Sequence, residues 1–127
     1  VRLLLDTHIL LWTAGRSDRL PPEARALISA SDPVFSAASL WEIAIKRGLG
    51  RADFRVDPAR LHAGLLANGF EELPVRGAHA SAVADLPPVH RDPFDRILVA
   101  QALVEDIGLL TSDPAVAGYP GRIRLVR

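Results

Sequence analysis

Short apolar runs that break off at an acid, each beside a helix-like stretch, constrain this chain more than any other feature. Leu3-Leu4-Leu5 stops at Asp6, and the strand Leu109-Leu110-Thr111 gives way through Ser112 to Asp113. Continuous apolar runs of this length fit strands buried on both faces. Between them lie helical patterns. Thr7 to Ala14 ends at Gly15, and Pro21-Pro22-Glu23 opens a helix to about Ser31. Val34-Phe35-Ser36 is a second strand, followed by a helix through Leu40, Trp41, Ile43, Ala44 and Ile45 with Gly48 as its stop. Asp57-Pro58 caps a helix to about Ala67, ended by Asn68-Gly69. Phe70 to Pro74 reads as a strand and Arg76 to Ala84 as a helix. Asp92-Pro93 starts the strongest helix, with Gly108 as its C′ residue, and Ile123 to Val126 forms a final strand. Strands alternating with helices predict a parallel sheet covered on both faces, in one domain over residues 1–127.

In such a sheet the C-terminal strand ends line one edge, where ligands bind. Asp6, Glu42, Asp95 and Asp113 all fall at strand–helix junctions or on helices able to face that edge. Carboxylates gathered there cannot all stay ionised without a cation among them. Oxygen ligands suit Mg²⁺ or Mn²⁺, and a metal held by carboxylates suggests phosphate chemistry.

Each acid also has an ordinary explanation. Asp6 and Asp113 can cap helices, and Asp92 is a near-ideal N-cap before Pro93, with Asp95 as the acid of the first turn. Glu42 stands four residues before Lys46, the arrangement of a surface ion pair, and taken alone reads as a solvated helix residue. The joint placement of four acids on one edge favours the metal.

Other chemistries are excluded. The chain has no Cys, so thiolate sites and disulfides are absent. His8, His62, His79 and His90 lack zinc-site spacing. No phosphate-cradling glycine loop and no nucleophile elbow is present. Trp12 and Trp41 read as core residues. Formal net charge is zero, so binding a polyanion requires local cations or bound metal. Arg91 and Arg96 flank the third acid, and Lys46, Arg47 and Arg51 follow the second. Lys46, Arg91 and Arg96 are the candidate contacts to the phosphates of a polyanion. The apolar start meets Asp6 and His8 too early for a signal peptide, and no run is long enough to span a bilayer.

Four blocks in order carry a resemblance. They are Leu4 to Trp12, Ser36 to Lys46, His90 to Ala102 (with Asp92-Pro93-Phe94-Asp95 inside it) and Leu110 to Asp113. Together they resemble a PIN-domain ribonuclease, and more narrowly a VapC-type toxin of a bacterial toxin–antitoxin pair. The resemblance implies a three-layer α/β/α sandwich and a Mg²⁺- or Mn²⁺-dependent endoribonuclease in the bacterial cytoplasm. It implies Asp6, Glu42, Asp95 and Asp113 as the metal and catalytic acids, with Thr7, Asp92 and Ser112 as accessory residues. It also implies a homodimer and a VapB-type antitoxin, with DNA met only through that antitoxin. Three rivals remain: a metal-dependent phosphatase of small molecules, a receiver-type signalling module, and a catalytically silent RNA- or antitoxin-binding module. His8, standing where a phosphoaspartyl enzyme needs a second Asp, weakens the first. The helical setting of Lys46 weakens the second.

Overall fold

The computed structural model describes residues 1–127. Its sheet has five strands: β1 (Arg2–Leu5), β2 (Asp32–Ser36), β3 (Glu71–Leu73), β4 (Gly108–Thr111) and β5 (Ile123–Leu125). They lie in the order β3-β2-β1-β4-β5, and every pairing is parallel. The helices are α1 (Thr7–Ala14), α2 (Pro22–Ser29), α3 (Ala37–Gly48), α4 (Pro58–Ala67), α5 (Gly77–Ala82) and α6 (Pro93–Glu105). No helix is long and apolar enough to cross a membrane.

The strands' two-residue alternation divides the apolar residues between two cores. Leu5, Phe35 and Leu110 point to one face, where they pack with Ile9 and Leu10 of α1, Ile43 of α3, and Leu61 and Leu65 of α4. Leu4, Val34 and Leu109 point to the other, against Leu98, Val99 and Ala102 of α6. The result is the expected three-layer α/β/α sandwich. The chain builds outward from β1 through β2 to β3, then returns to β4 on the other side of β1. The strand order therefore reverses between β1 and β4, and the crevice at their C-terminal ends is where such sheets bind ligands.

Several boundaries differ from the sequence expectation. α2 ends at Ser29 rather than Ser31, and α3 runs through Gly48 to a cap at Leu49. The left-handed turn that Gly48 was expected to supply falls on Gly50, at φ 75°. Gly108 does not end α6; it opens β4. Asp106 takes the left-handed cap instead, at φ 56°, a conformation Asp tolerates better than most residues. Trp41 is no core residue, being 64% exposed.

Candidate metal centre

β1 passes into α1 without a linker, so the capping residue of α1 lies directly on the sheet edge. Asp6 is that cap. Its backbone N–H donates to Leu110 O (3.0 Å), prolonging the β1–β4 ladder. Its Oδ1 accepts from the Ile9 N–H at 3.0 Å, and its Oδ2 accepts from the hydroxyl of fully buried Thr111. Burial pushes the Asp6 carboxyl above its usual range, those two hydrogen bonds pull it back, and the Glu42 charge raises it again.

Glu42 is carried by α3, which starts at the Ser36 cap at the end of β2. It is only 3% exposed, contrary to the solvated reading. Thr7 donates to Glu42 Oε1 at 2.6 Å and lies 3.0 Å from the Ser39 hydroxyl. Lys46 Nζ is 2.5 Å from Glu42 Oε2, so the pair faces inward. The ammonium also lies 4.9 Å from the Phe54 ring centroid and 5.7 Å from that of Phe94. Trp41, one residue earlier, points outward and meets Phe94 edge-on, with centroids 5.3 Å apart.

Asp92 caps α6, accepting from Phe94 N–H (2.8 Å) and Asp95 N–H (3.4 Å), and Pro93 occupies the first turn. Asp95 therefore projects from the N-terminus of α6 into the same crevice. Its carboxyl is pushed up to about 6, first by burial, then by the charges of Asp92, Asp6 and Glu42, with His90 opposing. Asp113 follows β4. Its N–H donates to Thr111 Oγ1 at 3.0 Å and its Oδ1 accepts from Ala115 N–H at 2.9 Å.

These groups line one pocket of about 130 Å³: Asp6, Thr7, His8, Glu42, Lys46, His90, Asp92, Asp95, Ser112 and Asp113. All four sequence-predicted acids are thus brought together, along with the three accessory residues and Lys46. The exposed Arg91 and the half-buried Arg96 lie outside that lining. Arg96 spends its guanidinium on the protein: Nη1 donates to Pro87 O (3.1 Å) and the Tyr119 hydroxyl (3.1 Å), and Nη2 to Val83 O (3.2 Å).

Sequence reasoning missed Thr111, His8 and His90. Strand alternation could have found Thr111, because it faces the same side of β4 as Leu109 and, by the Leu5–Leu110 register, lies beside Asp6 at the end of β1. His90 Nε2 is 2.9 Å from Asp95 Oδ2, and His90, Asp95 and Asp113 present ligand atoms all within 4.8 Å of one another. Five carboxylates against one ammonium, with a carboxyl held up at about 6 by burial and by its neighbours' charges, is a donor set that a divalent cation fits.

Thr111→Val tests how far this arrangement is held by buried hydrogen bonds. The change keeps the shape but leaves an Asp6 oxygen without its donor and the Asp113 N–H without its acceptor. We expect a loss of about 1–3 kcal/mol in urea unfolding with EDTA present. An unchanged midpoint would mean that Thr111 does not hold the acids in place.

A second, larger cavity lies away from the acid pocket. It is a groove of about 950 Å³ with Leu11, Trp12, Leu61 and Leu65 in its lining and Arg16, Arg19, Arg55 and Arg60 among its polar residues.

Comparison with known proteins agrees with this architecture. The PIN domain family profile matches residues 3–121. No curated protein matches the chain. Among solved structures, VapBC2 from Rickettsia felis, bound to a DNA fragment from its promoter, superposes with a TM-score of 0.74 at 11% identity, covering 100% of each chain. DNA-bound VapBC from Salmonella typhimurium gives 0.68 at 17%, covering 98% of this chain and 97% of that one. The sarcin–ricin-loop-cleaving toxin VapC20 of Mycobacterium tuberculosis gives 0.64 at 15%, covering 93% and 96%. At these identities the likeness is one of fold.

Proposed function

This chain belongs to the PIN domain family, and on that premise we propose that it is a metal-dependent endoribonuclease, the toxin of a VapBC-type pair, with residues 1–127 as one PIN domain. The observation that carries the reading is the convergence of Asp6, Glu42, Asp95 and Asp113 in one small polar pocket at the reversal of strand order.

Asp95 and Asp113 are the acids with a ligand atom free to approach a common ion. Asp6 and Glu42, each held by two donors, complete the set directly or through water. A bound Mg²⁺ or Mn²⁺ supplies charge neutralisation at a scissile phosphodiester and lowers the pKa of an attacking water. Glu42 is placed to orient that water, because Thr7 and Lys46 fix its carboxylate. Lys46 offsets negative charge that would otherwise repel RNA, and Arg91 is exposed and pairs with no acid, free to meet a phosphate.

The partners follow from the same reading. Trp41, Ile45 and Leu49 repeat every four residues along α3 and are 64%, 39% and 72% exposed, an apolar stripe suited to a second copy of the chain. The arginine-rimmed groove suits an acidic, partly apolar segment such as a VapB-type antitoxin would offer. DNA is then met through the antitoxin, and the setting is the bacterial cytoplasm.

The test of substrate class sets RNA against a phosphate monoester and single-stranded DNA, each with Mg²⁺ or Mn²⁺. Discrete RNA fragments without monoester turnover support the reading. Monoester hydrolysis with intact RNA overturns it in favour of a small-molecule phosphatase.

A further inference from the structure

We propose that His90 is a nitrogen ligand of the metal held in the acid pocket, which makes the centre a mixed nitrogen–oxygen site that prefers Mn²⁺ to Mg²⁺. The proposal rests on the metal reading above and extends it from a set of acids to a choice of ion.

His90 is one of three residues whose ligand atoms share a common position: its imidazole and the carboxylates of Asp95 and Asp113 lie within 4.8 Å of one another. These are the three side chains that would hold the ion between them. Its Nε2 already touches Asp95 Oδ2, at 2.9 Å. Ligation through Nε2 requires the tautomer with its proton on Nδ1, and Nδ1 has no partner within the protein that would oppose it.

The backbone of His90 is held with unusual care for a loop residue. The hydroxyl of Tyr119, a residue only 4% exposed, donates to His90 O (2.8 Å) and accepts from His90 N–H (2.9 Å). Arg96 Nη1 adds a longer contact to His90 O, at 3.4 Å. Pro87 and Pro88 before it and Pro93 after it restrict the loop's backbone further. The imidazole is thus delivered to the pocket on a rigid arch, the support that a metal ligand needs. The pocket's other histidine is engaged elsewhere. His8 Nε2 pairs with Asp53 (3.2 Å), and its ring packs on Trp12 and Phe54.

The ion follows from the ligand. Mg²⁺ takes oxygen almost exclusively, whereas imidazole suits the first-row transition metals. A centre with one imidazole therefore gains affinity for Mn²⁺ that an all-carboxylate centre lacks.

The experiment is pulsed electron paramagnetic resonance of Mn²⁺ bound to the purified protein, with Mn²⁺ and Mg²⁺ affinities measured by calorimetry. The wild type is expected to show ¹⁴N coupling to Mn²⁺, retained in His8→Ala and lost in His90→Ala. His90→Ala is expected to weaken Mn²⁺ binding by about 10–100-fold and Mg²⁺ binding far less. The variant should fold, because the Tyr119 bonds are to the main chain, and circular dichroism checks this. Bound Mn²⁺ without ¹⁴N coupling, or coupling that persists in His90→Ala, overturns the ligand assignment and leaves the carboxylate centre standing. Failure of Mn²⁺ to bind at all overturns both.

Discussion

Asp95→Asn is expected to destroy RNA cleavage and, in the same protein without metal, to raise the melting temperature. The opposed signs come from one cause. Asp95 is held among Asp92, Asp6 and Glu42, and its carboxyl is pushed up to about 6 by burial and by those charges. Its position in the first turn of α6 favours a negative charge by about 0.3–1 kcal/mol, and the upward shift means that burial and the neighbouring charges outweigh the helix dipole. In the unfolded chain an Asp titrates near 4. Between about 4 and about 6 the folded protein keeps a proton that the unfolded chain has released, so stability falls as pH rises through that window and stays lowered above it. Asn removes the penalty. With solvent screening at its part-exposed edge allowed for, the gain at pH 7.5 is on the order of 1–2 kcal/mol. The wild-type-to-variant difference should shrink at pH 5 and vanish below pH 4. Under the proposed function activity moves the other way, because the charge that destabilises the free protein is the one that would attract the cation. A loss of about 10²–10³-fold or more is expected, the scale of removing one electrostatic stabiliser of a transition state. Thermal melts in EDTA at these three pH values, beside cleavage assays in Mn²⁺, check both halves. An Asp95→Asn protein that is less stable and still active would mean that Asp95 is only a helix-start residue.

Arg96→Ala should cost roughly 2–4 kcal/mol, because charge-assisted hydrogen bonds to three carbonyls and a hydroxyl disappear together. For a chain of this size that is a fall in Tm on the order of 10 °C. The guanidinium also lies 5.8 Å from the Tyr119 ring centroid, so its removal loosens the residue that clamps His90. Arg96→Lys should rescue little, since a point charge cannot reach Val83 O and Pro87 O at once as the planar fork does. A phosphate-binding arginine would behave differently: unchanged melting, a raised KM and a weaker salt dependence. Thermal denaturation and salt-dependent kinetics of the two variants separate the roles. An unchanged Tm would return Arg96 to the RNA-contact reading.

The two outcomes mark where local pattern sufficed and where it did not. Asp6 and Asp113 were legible because an apolar run that stops at an acid is a strand leaving the core at its C-terminal end. Asp92-Pro93 was legible because the capping geometry is local. Glu42 was not. Its spacing to Lys46 is that of a solvent-facing pair, and only the packing of α3 against α1, which supplies Thr7, turns the pair inward. The same rotation of α3 leaves Trp41 outside, the reverse of what hydropathy suggests. Arg96 looked like a phosphate contact because its neighbour Asp95 faces the site, yet one position along a helix is about 100° around it. His90 has no zinc-type spacing to mark it in the sequence, and its proximity to Asp95 arises from the loop that Tyr119 and Arg96 hold.

RNA cleavage by this protein is proposed to require a divalent cation that the pocket's acids would hold. The most direct measurement is cleavage of total RNA by metal-stripped protein, with Mn²⁺ or Mg²⁺ returned stepwise, EDTA as the blank and Asp95→Asn in parallel. The expected result is discrete fragments that rise with added metal, are absent in EDTA and are absent in the variant. Fragments that persist in EDTA, or that the variant produces equally, would contradict it.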